Sequence, residues 1–343
     1  MFNYYFKGTA IAKMSFVGAI TFSFMCSTVT IANAGHHENV YGPYPITEKS
    51  YTGSKKNSVS YGGQIARQLL HNSLKKLASK GNSKEMLNYF NTKDKTKTLA
   101  IIDPKSSSKF PVKQKMIGEL SGGANLSGKA DKRIQTSWPG NMSGGDVIKF
   151  MIKKAGKAKK GIDMRHGMNY PQLISKYTMG AVLYHQACDN YLDEKMTSNV
   201  KPNDKPYKKG AAYTGKEHSW DEAFGYWGAS AHTMKLSAKQ SYNIAKKKDL
   251  KSADYNNDGV VDLQTEMTYA HAYYASSFDK GGKTNYLKNV TGAFLDGRKL
   301  ITKANGNKLS ASELDKIQGY VQVICSNWED VIAEAVFKYA GSV

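Results

Sequence analysis

Gly62-Gly-Gln-Ile65-Ala-Arg-Gln-Leu69-Leu70-His-Asn-Ser-Leu74-Lys-Lys-Leu77 sets the class of fold. Its apolar residues fall at steps near 3.6, the signature of one buried helical face. The period returns after Pro171, which sits where a first-turn proline belongs. From there Leu173, Ile174, Tyr177, Met179, Leu183 and Tyr184 predict a helix running to about Met196. Asp146 reads as the N-cap of a helix over 147–158. Further helices are predicted at about 219–232 and 236–250, up to Phe278, and over 284–304 and 311–340. The capping box Ser310-Ala-Ser-Glu313 opens the last. No convincing strand pairs and no fixed-period repeat appear. The chain therefore reads as all-α, a helical bundle or two packed bundles over about 63–198 and 217–343.

Between these helices lie three segments of different character. Residues 35–62 are polar and rich in Gly, Tyr and Ser, and read as an extended entry segment. Residues 103–145, with Gly122-Gly123 and Pro139-Gly140, lack a clean period and read as a long irregular loop. Residues 199–216 are a polar linker holding Pro202 and Pro206.

The first 34 residues predict export. Lys7 and Lys13 precede an apolar run from Met14 to Ile31, and Ala32-Asn33-Ala34 is a cleavage signal. The expected location is the periplasm. No later segment is long and apolar enough to span a bilayer. A mean hydropathy of −0.53 fits a water-soluble chain.

The formal charge is +21, which admits an anionic surface or polymer as partner. Only Arg67, Arg133, Arg165 and Arg298 are arginines, the rest of the excess being lysine, and specific base and phosphate readout favours arginine. Nucleic acid is therefore not the expected partner. Removal of the leader leaves Cys188 and Cys325. One disulfide is permitted, but apolar neighbours suit two buried thiols, and the reading leans to unpaired cysteines.

Two segments carry ligand chemistry. In Asp254-Tyr-Asn256-Asn-Asp258-Gly259-Val260-Val261-Asp262-Leu-Gln-Thr265-Glu266, oxygen ligands occupy positions 1, 3 and 5 of a calcium loop. Glycine stands at 6, the Val260 carbonyl at 7, apolar Val261 at 8 and Asp262 at 9. Position 12 is Thr265, and the carboxylate falls one residue later at Glu266. An EF-hand-like loop binding Ca2+ between two helices is predicted, with a structural role. The second segment is Glu217-His218-Ser219-Trp220-Asp221-Glu222. His218 and Glu222 share a helical face, and with Asp221 or Glu217 they supply ligands for a transition metal such as Zn or Fe. Ser219 to Glu222 also matches a capping box, which would occupy Glu222 with backbone N–H groups.

The other histidines read as packing groups: His185 beside Cys188, then His232 and His271. His36-His37 reads as a disordered pair. His-Glu-x-x-His, Gly-x-Ser-x-Gly and phosphate-cradling glycine loops are absent.

Several landmarks together resemble a family of exported bacterial proteins known as a domain of unknown function, related to the imelysins. They are Ser58-Val-Ser-Tyr-Gly-Gly-Gln64-Ile-Ala-Arg67-Gln, Gly180-Ala-Val-Leu-Tyr184 with Gln186, and Glu217 to Tyr226. The Asp-rich turn into Asp262-Leu, and Trp328-Glu329 with Ala333 and Tyr339, complete the set. The resemblance implies an imelysin-like all-α fold. Imelysins are periplasmic helical proteins linked to iron uptake and once described as peptidases. Their Gly-x-His-x-x-Glu differs here: Gly215 lies one residue further from His218, and Asp221 stands in the place of the glutamate. The expected function is a calcium-stabilised helical binding protein that takes a metal or metal-bearing ligand near His218, Asp221 and Glu222. One alternative is a metallopeptidase, with His218 and Asp221 on zinc and Glu222 as general base. The other is a calcium-rigidified interaction module without a second site.

Overall fold

Helix α1, Gly62–Ala78, buries Ile65, Leu69, Leu70, Leu74 and Leu77 as its period predicts. Each contributes about 1.5–3 kcal/mol by leaving water. The computed structural model describes residues 39–340, so the leader at 1–34 and His36-His37 lie outside the described residues. The predicted helices appear with shifted ends, and α2, Ser83–Asn91, joins them, capped by Asn82. Helix α3, Gly118–Ser121, is one turn within the segment 103–145, which is otherwise irregular apart from a 3-10 turn at Ser127–Lys129 and isolated bridges. Helix α4 spans Gly144–Ala155. Its cap is Ser143, which accepts from the backbone of Asp146, so Asp146 lies inside the helix and not at its cap.

A two-residue antiparallel ladder, β1 Ile162–Asp163 with β2 Met168–Asn169, pairs Ile162 with Asn169. Helix α5, Tyr170–Thr178, has Pro171 in its first turn. Beyond it the chain stays helical but widens to π geometry over Met179–Tyr184 and Ala187–Tyr191. Such insertions are rare and often mark functional positions. The remaining helices are α6 Gly215–Trp227, α7 Ala238–Ala245, α8 Leu250–Ala253, α9 Ala270–Asp279, α10 Tyr286–Lys303 and α11 Ala311–Ala340.

Helix α6 lies between α1 and α10, and α10 packs along α11. The stretches 63–198 and 217–343, read as one helical bundle or two packed ones, share one hydrophobic core. Trp220 and Trp227 of α6 and Trp328 of α11 are fully buried in it, with the Trp227 and Trp328 rings 4.9 Å apart. The entry segment is part of this core: Tyr41 stacks on Phe224 at 3.6 Å. Cys188, in the second π stretch, is bonded to Cys325 of α11 across a Cα separation of 6.0 Å. This corrects the expectation of two unpaired thiols. Their apolar surroundings are those of a bridge between two packed helices.

Candidate functional site

Helix α6 begins four residues before its predicted start. Thr214 accepts from the backbone of Glu217, and Glu217 reaches back to the Thr214 N–H at 2.9 Å, completing a capping box. The competing box from Ser219 is not formed, and this frees Glu222. The helix ends at Gly228, whose φ of +82° gives the left-handed C-cap that glycine adopts without strain. Every residue of α6 is buried except His218. A helix apolar or occupied on all sides is a central one, so its one residue reaching the surface stands out.

Asp221 and Glu217 face away from that opening, into a buried ion cluster. Arg298 of α10 donates to Asp221 Oδ1 at 2.9 Å, to Glu217 Oε1 at 3.0 Å and to Ser58 Oγ at 2.7 Å. Tyr41 OH donates to Asp221 Oδ1 and the Ser60 N–H to Asp221 Oδ2; Thr47 Oγ1 donates to Glu217 Oε1. All three charged side chains are fully buried. Both carboxylates are saturated by donors and tie the entry segment and α10 to α6. Removing Arg298 would leave two uncompensated buried charges, a loss of about 3–5 kcal/mol for a broken buried pair. Asp221, expected as a metal ligand, is thus held in a structural cluster, apart from His218 and Glu222.

His218 and Glu222 do come together. His218 Nε2 lies 3.8 Å from Glu222 Oε1. That carboxylate oxygen accepts from Gln64 Nε2 at 2.8 Å and from Tyr191 OH at 3.1 Å, whereas buried Glu222 Oε2 and His218 Nδ1 have no protein partner. Tyr213 stacks on the imidazole and Tyr207 meets it edge-on, both with ring centroids 4.3 Å away. Burial, reinforced by Lys208, Lys201 and Lys195 and opposed by the Ser60 backbone, lowers the His218 pKa to about 3. The ring is neutral near pH 7, the form that ligates metals or accepts a proton. Burial raises the pKa of Glu222 against the opposing pull of Lys129 and Lys195. Lys195 itself is lowered to about 8 by burial, its Nζ 3.8 Å from the centre of the Tyr191 ring.

A polar relay leads outward from this pair. Tyr191, on the second π stretch, receives a hydrogen bond from Lys129 Nζ at 2.9 Å while donating to Glu222. Lys129, Gln186 and Asn190 line a surface cavity of 340 Å³ that also contains Asp131, Arg133 and His185. His185, read as a packed interior histidine, is half-buried at this cavity. Its Nδ1 lies 3.0 Å from Asp189, and Arg133 bridges Asp131 and Asp189 at 2.8 Å each. The sequence signal for this cluster was the His185/Asp189 spacing of four residues, one helical face; Asp131 and Arg133 come from the irregular segment.

The predicted calcium loop keeps its tight turn. Asp254 accepts from the N–H groups of Asp258 and Gly259, Asn256 Oδ1 from Asp258, and Asp258 Oδ1 from Val260. Gly259 supplies the φ of +84° that position 6 requires. Val261 is buried and bridges Val112 in parallel, so the loop is sewn to the irregular segment. Two ligands are engaged elsewhere. Asp262 meets Lys113 and Gln114, and Glu266 accepts from the N–H groups of Tyr255, Asn256 and Asp262. The exiting helix is not immediate either, since α9 begins only at Ala270. Among the described residues no group of three or more His, Cys, Asp or Glu side chains is placed to hold a metal ion. No helix among them is long and apolar enough to cross a membrane.

Comparison with curated proteins and with solved structures gives no match. The model of a family described as a domain of unknown function (DUF4856) matches residues 48–308, which hold the ion cluster, the His218–Glu222 pair and the Asp-rich turn. The chain belongs to the DUF4856 family.

Proposed function

We propose that the chain is an exported binding protein that receives a metal-bearing ligand at His218 and Glu222 and is stabilised by Ca2+ at 254–266. The observation that carries the reading is that the only residue of the buried helix α6 to reach the surface is a neutral histidine, set 3.8 Å from a carboxylate with one unpartnered oxygen. Two donors on one tetrahedral metal stand about 3.3 Å apart for bonds of about 2.0–2.1 Å; the 3.8 Å separation is to Oε1, which already accepts from Gln64 and Tyr191, so a shared ion would use the unpartnered Oε2 after a turn of the carboxylate. Two protein donors leave the rest of the coordination sphere to the ligand, as when a chelated metal is captured. A peptidase centre needs three protein ligands and an open position. Asp221 is bound by Arg298, Tyr41 and Ser60, which favours the binding reading over the metallopeptidase. Export accords with the Cys188–Cys325 bond, since disulfides persist in oxidising compartments. Kinship with the imelysins belongs to the same proposal.

Elemental analysis of protein purified without chelator tests the site. Wild type is expected to retain Fe or Zn, and His218→Ala to lose it while keeping its melting temperature. Equal metal content in the two proteins refutes the assignment. The calcium loop has its own test. Ca2+ at about 100 times its Kd should add about 2.7 kcal/mol of stability, read as a rise in Tm that Asp254→Ala and Asp258→Ala remove. An unchanged Tm at millimolar Ca2+ removes the ion from the account.

A further inference from the structure

Lysines are so numerous in this chain that a solvated basic face needs no explanation. One cluster is built differently. Lys176 of α5 is half-buried, its Nζ 5.0 Å from the ring centres of both Tyr274 of α9 and Tyr339 of α11. The two phenols are joined to each other, oxygen to oxygen, at 2.9 Å. Beside them Tyr242 of α7 stacks on Tyr273 of α9, with Lys280 lying 3.8 Å from the Tyr242 ring and Lys246 5.0 Å from the Tyr273 ring. Among the described residues Lys75, Lys176, Lys246 and Lys280 form no salt bridge.

The charges acting on Lys176 are Lys75 and Lys338, both positive, and with burial as the larger cause they bring its pKa down to about 7. Behind it, buried His71 and His271 are kept neutral. Among the described residues the nearest carboxylate to the cluster is that of Asp103, which acts on Lys75 and is paired with Lys247. Donors remain available: Lys176 has one bond, to Gln172 Oε1 at 3.1 Å, and the two phenols use one of their two protons on each other. Ammonium and phenol groups gathered on α5, α11 and the C-terminal ends of α7 and α9 match the several oxygens of a tetrahedral anion better than a single carboxylate.

We propose that Lys176, Lys246 and Lys280, with the hydroxyls of Tyr274 and Tyr339, form a binding site for a phosphate group. Val336 and Phe337, 63% and 76% exposed, lie within three residues of Tyr339 on α11. That combination favours the phosphate of an anionic lipid headgroup over a free ion.

The test uses the full chain with two probes, vesicles containing phosphatidylglycerol and inorganic phosphate. It compares Lys176→Gln/Lys246→Gln with Lys55→Gln/Lys56→Gln, an equal charge change on an exposed stretch of the entry segment. Each lysine at an anionic surface is worth a factor of roughly five, so the first pair should weaken vesicle binding about thirtyfold and the second should leave it unchanged. If the first pair instead loses binding of inorganic phosphate alone, the site stands with a free anion as its ligand. Equal losses in both pairs, or failure of the wild type to bind either probe, overturn the proposal. Thermal melting of each variant shows that the fold is retained.

Discussion

His71, His218 and His271 are each held near a pKa of 3 by burial, against an ordinary value of 6.5. The folded chain therefore binds fewer protons than the unfolded one between these values. The stability this confers is complete above pH 6.5 and is lost as pH falls toward 3, at no more than about 1.4 kcal/mol per pH unit for each ring. Glu222 works in the opposite sense, since its pKa is raised and its contribution is lost as pH rises. His232 is lowered as well, and Asp221, Glu266 and Asp296 are raised like Glu222, so the net slope of Tm with pH is a balance, and the histidines' part in it is read by replacing one of them. His71→Gln, which keeps a polar group against Ser175, should lose less Tm than wild type between pH 6.5 and 4. An equal loss of Tm between pH 6.5 and 4 in wild type and His71→Gln would show that the His71 ring is charged in the fold. At this scale the sequence was informative about residue type and not about partners. His218 and Glu222 were legible from their spacing of four. Arg298, which takes Asp221 away from them, lies 77 residues further along the chain, and no local pattern announces it.

Helices α1, α10 and α11 were legible because each presents one apolar stripe at the 3.6 period. The start of α6 was not. Thr214-x-x-Glu217 and Ser219-x-x-Glu222 are both capping boxes on paper, and the first prevails because Glu217 also meets Arg298 and Thr47. The π stretches were hidden for another reason: widening a turn leaves the residue types unchanged and only alters which of them face inward. Glycines report how closely these elements approach. A Cβ on Gly297 of α10 would stand 2.1 Å from Trp220 Cζ2, whereas one on Gly319 of α11 would meet nothing within 4 Å. Gly297→Ala is therefore expected to destabilise by about 1–3 kcal/mol. Gly319→Ala should stabilise by about 0.5–1 kcal/mol through helix propensity alone. Urea unfolding of the two variants reads both signs, and a stabilised Gly297→Ala would show that α6 and α10 do not pack this closely.

For the molecule as a whole, composition and period gave an all-α class, and the described residues are mostly helical, with one two-residue ladder and isolated bridges. What no window of sequence conveys is how distant segments are joined: Tyr41 on Phe224, Val112 on Val261, Cys188 on Cys325. The last of these has a bearing on how the chain is made. The two cysteines are 137 residues apart. At roughly 5–20 residues per second of synthesis, the first thiol emerges roughly 7–27 s before the second exists. During that interval its sulfur is open to any oxidant or foreign thiol it meets. The covalent ring, which encloses all of α6, can be closed only by α11. Maturation thus depends on an oxidation that must wait until α11 has been made.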